Sequence, residues 1–203
     1  MSHDTVIHRL VRPAVKAARP LGVSPDQITV ARLVTGVAAA ALLAAGPGAW
    51  TAAGAGVFLV SALLDRADGE LARQTGRFSA GGRRLDLWAD AISTIAVFLG
   101  LGWGLLPALG WTAPTLGVLA GLSVAAVFPL SNRGGRSSPP LFASPQRTVV
   151  VDADDAMLLL PVLLWLGLGA PALVLAGTLT PIVALALAWR RGREAQAAAR
   201  SPS

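Results

Sequence analysis

The chain has 203 residues, 54% of them hydrophobic and only 14% charged, with 17 basic against 11 acidic groups and a formal charge of +6. Charge is absent from 33–64, 91–132 and 156–189, and uncharged runs of 32, 42 and 34 residues exceed what one core in so short a chain can cover. Lipid can cover them, since a spanning helix needs about 20 apolar residues. A soluble globular domain and a disordered chain are excluded, and zero cysteines exclude a disulfide scaffold.

Taken in chain order, residues 4–19 place Ile7, Leu10, Val11, Ala14, Val15 and Ala18 at helical spacing, with His8, Arg9, Arg12, Lys16 and Arg19 on other faces. That pattern suits an amphipathic helix lying in the headgroup region, although Pro13 removes a backbone donor. Ser24-Pro25-Asp26-Gln27 reads as an N-cap, a proline at the first helical position and a capping-box Gln. Each uncharged run is then broken near its middle: at Gly46-Pro47-Gly48, at Pro107, Gly110 and Pro114, and at Gly167, Gly169 and Pro171. Such clusters end one helix and start another. The expectation is an all-α integral membrane protein with six spans, at 26–46, 51–74, 84–106, 112–132, 154–169 and 171–190, preceded by the interfacial helix.

Orientation follows from the basic residues. Apart from Arg32, just inside the first span, all fall before that span, at 66–84, at 133–147 or after 189, and the hairpin tips carry none. Basic loops stay in the cytoplasm, which puts both termini and both longer loops inside. The net positive charge then reports topology and anionic lipid headgroups, and no nucleic-acid partner is needed to explain it. Small size, high alanine content and no evident cleavable or organelle-targeting segment point to a bacterial inner membrane.

The chemistry sits in 65–90. Asp65 and Asp68 are three apart and Asp86 and Asp90 four apart, so each pair shares a helix face. Two antiparallel helices could aim both pairs at one point, where four carboxylates would repel strongly unless one or two divalent cations joined them. All-oxygen ligands suit Mg²⁺ or Mn²⁺, and a chain without cysteine and with only His3 and His8 is a poor zinc binder. Paired hard cations are the usual clamp in phosphoryl chemistry. Gly69, Ala72 and Gly82 would admit a close approach of a base and a diphosphate. Arg73 could neutralise phosphate, with Arg66, Arg77, Arg83 and Arg84 raising the local potential.

The run Asp65-x2-Asp68-Gly69-x2-Ala72-Arg73-x8-Gly82-x3-Asp86-x3-Asp90 resembles the complete signature of the CDP-alcohol phosphotransferase family, matching all eight fixed positions. The resemblance implies one membrane domain over 1–203: a cytoplasmic interfacial helix at 1–22, a six-helix bundle at 23–190 and a cytoplasmic tail at 191–203. It implies two Mg²⁺ or Mn²⁺ ions on Asp65, Asp68, Asp86 and Asp90, with Asp90 as general base for the acceptor hydroxyl. Gly69, Ala72, Arg73, Ser79 and Gly82 would contact the CDP moiety, as would Asp26 and Thr29 at the start of the first span. The implied reaction moves a substituted phosphate, most often phosphatidyl from CDP-diacylglycerol, onto an alcohol with release of CMP, in phospholipid biosynthesis. The wording Asp-Gly-Glu-Leu-Ala-Arg also resembles members using CDP-inositol or other soluble headgroup donors.

Arg133, Arg136 and Arg147 either mark topology or form an anionic pocket, and they lean the acceptor towards inositol phosphate or glycerol phosphate. Asp152, Asp154 and Asp155 suit a helix start, and the tryptophans near hairpin tips suit interface anchors. Spans rich in Ala and Gly suit close helix packing and are compatible with a homodimer. The competing class is a divalent-cation transporter. That class should carry charges near the membrane midplane, whereas these four carboxylates lie at one cytoplasmic edge and no acidic residue occurs in 91–151.

Overall fold

The computed structural model describes residues 22–76, 79–132 and 155–200. The amphipathic segment at 4–19 with His3 and His8, the arginines at 133, 136 and 147, and Asp152 and Asp154 lie outside them. Seven α-helices make up the described chain, with no strand among those residues: α1 (Pro25–Ala44), α2 (Ala49–Thr75), α3 (Ala80–Gly104), the short α4 (Leu106–Leu109), α5 (Thr112–Asn132), α6 (Leu159–Trp165) and α7 (Gly169–Arg200).

Local chemistry places the helix ends. The capping box at the start of α1 is present: the Gln27 amide donates to Ser24 Oγ at 3.2 Å and the Ser24 amide to Gln27 Oε1 at 2.9 Å. α2 stops at Gly76, whose φ of 65° is the left-handed conformation that side chains disfavour. α3 begins at Ala80, four residues ahead of the expected 84, because Ser79 caps it by accepting from the Gly82 amide at 2.8 Å.

The expected fifth span shows only a 3₁₀ turn (Asp155–Leu158) and the seven-residue α6 among the described residues. At about 1.5–2 Å per residue those described turns account for roughly 20 Å of a 30 Å crossing. α7 covers the sixth expected span, 171–190, and continues as a helix to Arg200 despite Pro181. Apart from Gly192 its extension is built of Arg, Glu, Gln and Ala, strong helix formers, and carries an Arg190–Glu194 ion pair one turn apart at 3.0 Å.

Three helices, Pro25–Ala44, Gly81–Gly104 and Gly169–Gln196, are long and apolar enough to cross a membrane, and Thr112–Val127 is a shorter apolar helix. Large side chains such as Val34, Trp88, Leu119, Leu175, Ile182 and Leu185 face outward. A surface of that kind suits lipid, and the chain is an integral membrane protein. α2 is 27 residues, about 40 Å, and its first 16 are uncharged. Counted from Ala49, about 20 residues exhaust the hydrocarbon thickness, so Asp65 and Asp68 fall at its edge.

The helices pack as a ring: α1 between α2 and α3, α3 on α5, α5 on α7, and α6 closing between α7 and α2. Leu43, Phe58, Val97, Phe98, Leu101, Leu164 and Leu173 fill its middle. α2 and α3 scarcely meet; both lie against α1. Small residues permit that approach. A Cβ on Gly36 would sit 2.6 Å from Ser93 Oγ, and one on Gly100 would run into the Ala40 carbonyl. At one pole, Trp103 and Trp111 stack edge to face with centroids 6.4 Å apart.

Gly100→Ala should therefore force α1 and α3 apart, at a cost of roughly 1–3 kcal/mol. Thermal unfolding in detergent measures it, and an unchanged midpoint would refute the close approach.

Candidate active site

Three helices build the site, each contributing polar residues to one end of the bundle. α1 brings Asp26, Thr29 and Arg32; α2 brings Asp65 and Asp68; α3 brings Asp86 and Asp90. Because α1 lies between the other two, residues one turn apart along it meet carboxylates from both sides.

Asp68 is 6% exposed, and its Oδ2 accepts a 2.9 Å hydrogen bond from Thr29 Oγ1. Thr29 also reaches the Pro25 carbonyl at 3.1 Å, so its hydroxyl is shared between its own helix and α2. Arg32 is 3% exposed and spans the cluster. Nη1 lies 2.5 Å from Asp65 Oδ1 and 2.8 Å from Asp86 Oδ1, and Nη2 lies 2.8 Å from Asp90 Oδ1. Its backbone carbonyl accepts from Ser61 Oγ on α2 and from Thr35 Oγ1, both at 2.9 Å. Asp65 Oδ2 is in turn 3.5 Å from Arg66 Nη1.

Asp65, Asp68 and Asp86 each offer a carboxylate oxygen within 4.8 Å of the others. Three hard oxygen donors that close together are a fitting set for a divalent cation such as Mg²⁺ or Mn²⁺. Asp90 stands beside them, joined through Arg32. A cavity of about 200 Å³ opens over the cluster, lined by Arg32, Asp65, Asp86 and Asp90, then by Ser93 and Thr94, and by Phe58 and Met157 at its apolar side. Ser93 Oγ is buried without a hydrogen-bond partner one turn below Asp90.

The residues singled out from sequence for the nucleotide fall into two groups. Asp26, Ser79 and Gly82 meet where the starts of α1 and α3 approach, and a Cβ on Gly82 would sit 2.7 Å from Asp26 Oδ1 and 2.9 Å from Ser79 Oγ. Asp65, Gly69 and Ala72 share one face of α2, four and three residues apart, with both small residues half-buried. Arg73 lies on α2 one residue further on. The three arginines proposed for the acceptor are not among the described residues. Sequence reasoning gave Arg32 no role and passed over Ser61 and Ser93. The signal for Arg32 was available: it is a lone cation ahead of 32 uncharged residues, inside an apolar helix, where ionisable groups are seldom idle.

The fold and this cluster define an integral membrane protein with an acidic, cation-suited pocket at one end of its bundle. The chain belongs to the CDP-alcohol phosphatidyltransferase family, whose pattern matches residues 22–189. It is 36% identical over 108 residues to the phosphatidylinositol phosphate synthase of Mycolicibacterium smegmatis, a match covering 53% of this chain and 47% of that protein. It is 36% identical over 95 residues to the Mycobacterium tuberculosis phosphatidylinositol phosphate synthase, covering 47% of this chain and 43% of that one. The chain thus spans about half the length of the curated relatives it matches. In fold it resembles the M. tuberculosis enzyme solved with CDP-DAG bound, with a TM-score of 0.64 at 22% identity over 91% of this chain and 92% of that one. The same enzyme with manganese and citrate gives 0.61 at 22% identity over 88% of each chain.

Thr29→Val keeps the shape but leaves Asp68 Oδ2 buried without its donor, which costs roughly 1–3 kcal/mol. A lowered unfolding midpoint in chelator is expected, and wild-type stability would show that the hydroxyl does not support Asp68.

Proposed function

We propose that this protein is a divalent-metal-dependent transferase that moves a phosphatidyl group from CDP-diacylglycerol to a phosphorylated alcohol and releases CMP. The observation that carries the reading is the convergence of Asp65, Asp68 and Asp86 within 4.8 Å, beside a cavity lined by Asp65, Asp86 and Asp90. Family membership and relatives named phosphatidylinositol phosphate synthase support it, and they favour inositol phosphate over glycerol phosphate as acceptor.

Asp65, Asp68, Asp86 and Asp90 would hold the metal ions, which when bound supply positive charge against the donor diphosphate and the departing CMP. Asp90, at the cavity wall, takes the proton of the acceptor hydroxyl. The freed oxygen forms a bond to the donor's β-phosphorus as the bond to the CMP oxygen breaks. Asp26, Ser79 and Gly82 together with the small face of Gly69 and Ala72 receive the cytidine and diphosphate, with Arg73 on phosphate. Arg133, Arg136 and Arg147 take the acceptor's phosphate. In this reading residues 1–203 form one domain with six spans, the site and both termini face the cytoplasm of a bacterial inner membrane, and Gly/Ala-rich faces allow a homodimer.

The decisive assay measures CMP release from CDP-diacylglycerol in Mg²⁺ or Mn²⁺, with inositol 1-phosphate, glycerol 3-phosphate, serine, free inositol or no acceptor. Release dependent on metal and on inositol 1-phosphate is expected, and dependence on another acceptor would reassign the product. Silence by a folded protein would remove the lipid donor and favour a soluble CDP-linked headgroup. Asp90→Asn should lower turnover at least 100-fold while sparing donor binding; full activity in that variant would remove Asp90 as the base. Arg136→Ala should raise the acceptor KM several-fold more than the donor KM, and the reverse would move the acceptor pocket elsewhere.

A further inference from the structure

Arg32 does not behave as a topology signal. A cation that only marks the inner side of a membrane extends into the headgroups, whereas this guanidinium is 3% exposed and turned into the bundle. Its partners are Asp65 on α2 and Asp86 and Asp90 on α3, at 2.5–2.8 Å. Those two helices hardly touch each other, so the carboxylates that must act together are joined through α1. The backbone holding the guanidinium is itself pinned by the Ser61 and Thr35 hydroxyls on the Arg32 carbonyl. Gly36, one turn along, lets α3 close against α1 at that level.

We propose that Arg32 is the positioning residue of the carboxylate cluster: an internal counter-cation that holds Asp65, Asp86 and Asp90 together and against which a divalent cation must compete. This rests on the metal-site reading given above. Unpaired carboxylates so close repel one another strongly in a partly dry site, and one delocalised fork can satisfy three of them at once. The same Oδ1 atoms that face the guanidinium are carboxylate oxygens a metal would draw on. Arg32 therefore stabilises the metal-free bundle and weakens metal binding, and the two effects share one cause.

The test compares wild type, Arg32→Gln and Arg32→Lys in detergent, reading unfolding midpoints in EDTA and in Mn²⁺, and Mn²⁺ affinity from the EPR signal of the free ion. Arg32→Gln should melt at least 5 °C lower in EDTA, bind Mn²⁺ at least tenfold more tightly, and gain a larger Mn²⁺-induced shift in midpoint. Arg32→Lys keeps the charge without the fork and should fall between the two in both readouts. If Arg32→Gln folds only when purified in Mn²⁺, that metal rescue supports the proposal. If it folds under neither condition, Arg32→Lys decides by the same two measurements. A wild-type midpoint in EDTA for Arg32→Gln, or Mn²⁺ affinity unchanged or weakened, overturns the proposal while leaving the metal site in place. Absence of Mn²⁺ binding by wild type overturns the metal-site reading and this inference with it.

Discussion

Everything at the functional end of this protein is arranged around the repulsion among four carboxylates drawn together at a membrane edge. Asp68 is buried and the other three are only partly exposed, so water screens them less than it would on a soluble surface. The structure answers from α1 with a threonine hydroxyl on Asp68 and a buried guanidinium shared by Asp65, Asp86 and Asp90, and Arg66 adds a further cation beside Asp65. The two α1 donors lie one turn apart. The helix with the fewest catalytic candidates is thus the one on which the others depend.

That dependence explains the packing. α1 has to stand between α2 and α3 for its side chains to reach both, so the three helices must approach closely along their length. Lipid provides no hydrophobic drive for helices to associate; close contact of small side chains takes its place. Gly36 and Gly100 occupy such contacts, and the Leu43, Val97 and Leu101 side chains fill the layer beneath. The outer faces remain apolar because their solvent is lipid. The same residue types that would signal misfolding on a soluble protein are here the boundary with the bilayer.

The polar end and the apolar middle also meet in one cavity. Its mouth carries carboxylates and its side wall carries Phe58, Met157 and Leu158. A pocket with both characters suits an amphiphilic ligand. Where Gly82 meets Asp26 and Ser79 there is room for a backbone but none for a side chain.

Much of this was legible in the linear chain. Uncharged runs define membrane helices because the cost of burying charge in lipid acts residue by residue, wherever the helix ends up. The Ser24 end and the i, i+3 and i, i+4 pairing of the aspartates follow from local geometry alone, and so the carboxylate faces could be named in advance, whereas the Ser79 start and the Gly76 stop were not read from it. What sequence could not state was which helix lies between the two pairs. Arg32 and Asp90 are 58 residues apart, and nothing local in either one encodes that they meet. The same limit governs the fifth span, whose apolar run is long enough for a crossing while its described backbone breaks into a 3₁₀ turn and a two-turn helix. Hydropathy and spacing are properties of one segment in its solvent. Contact between segments is settled by the packing of whole surfaces, and only the folded bundle decides that.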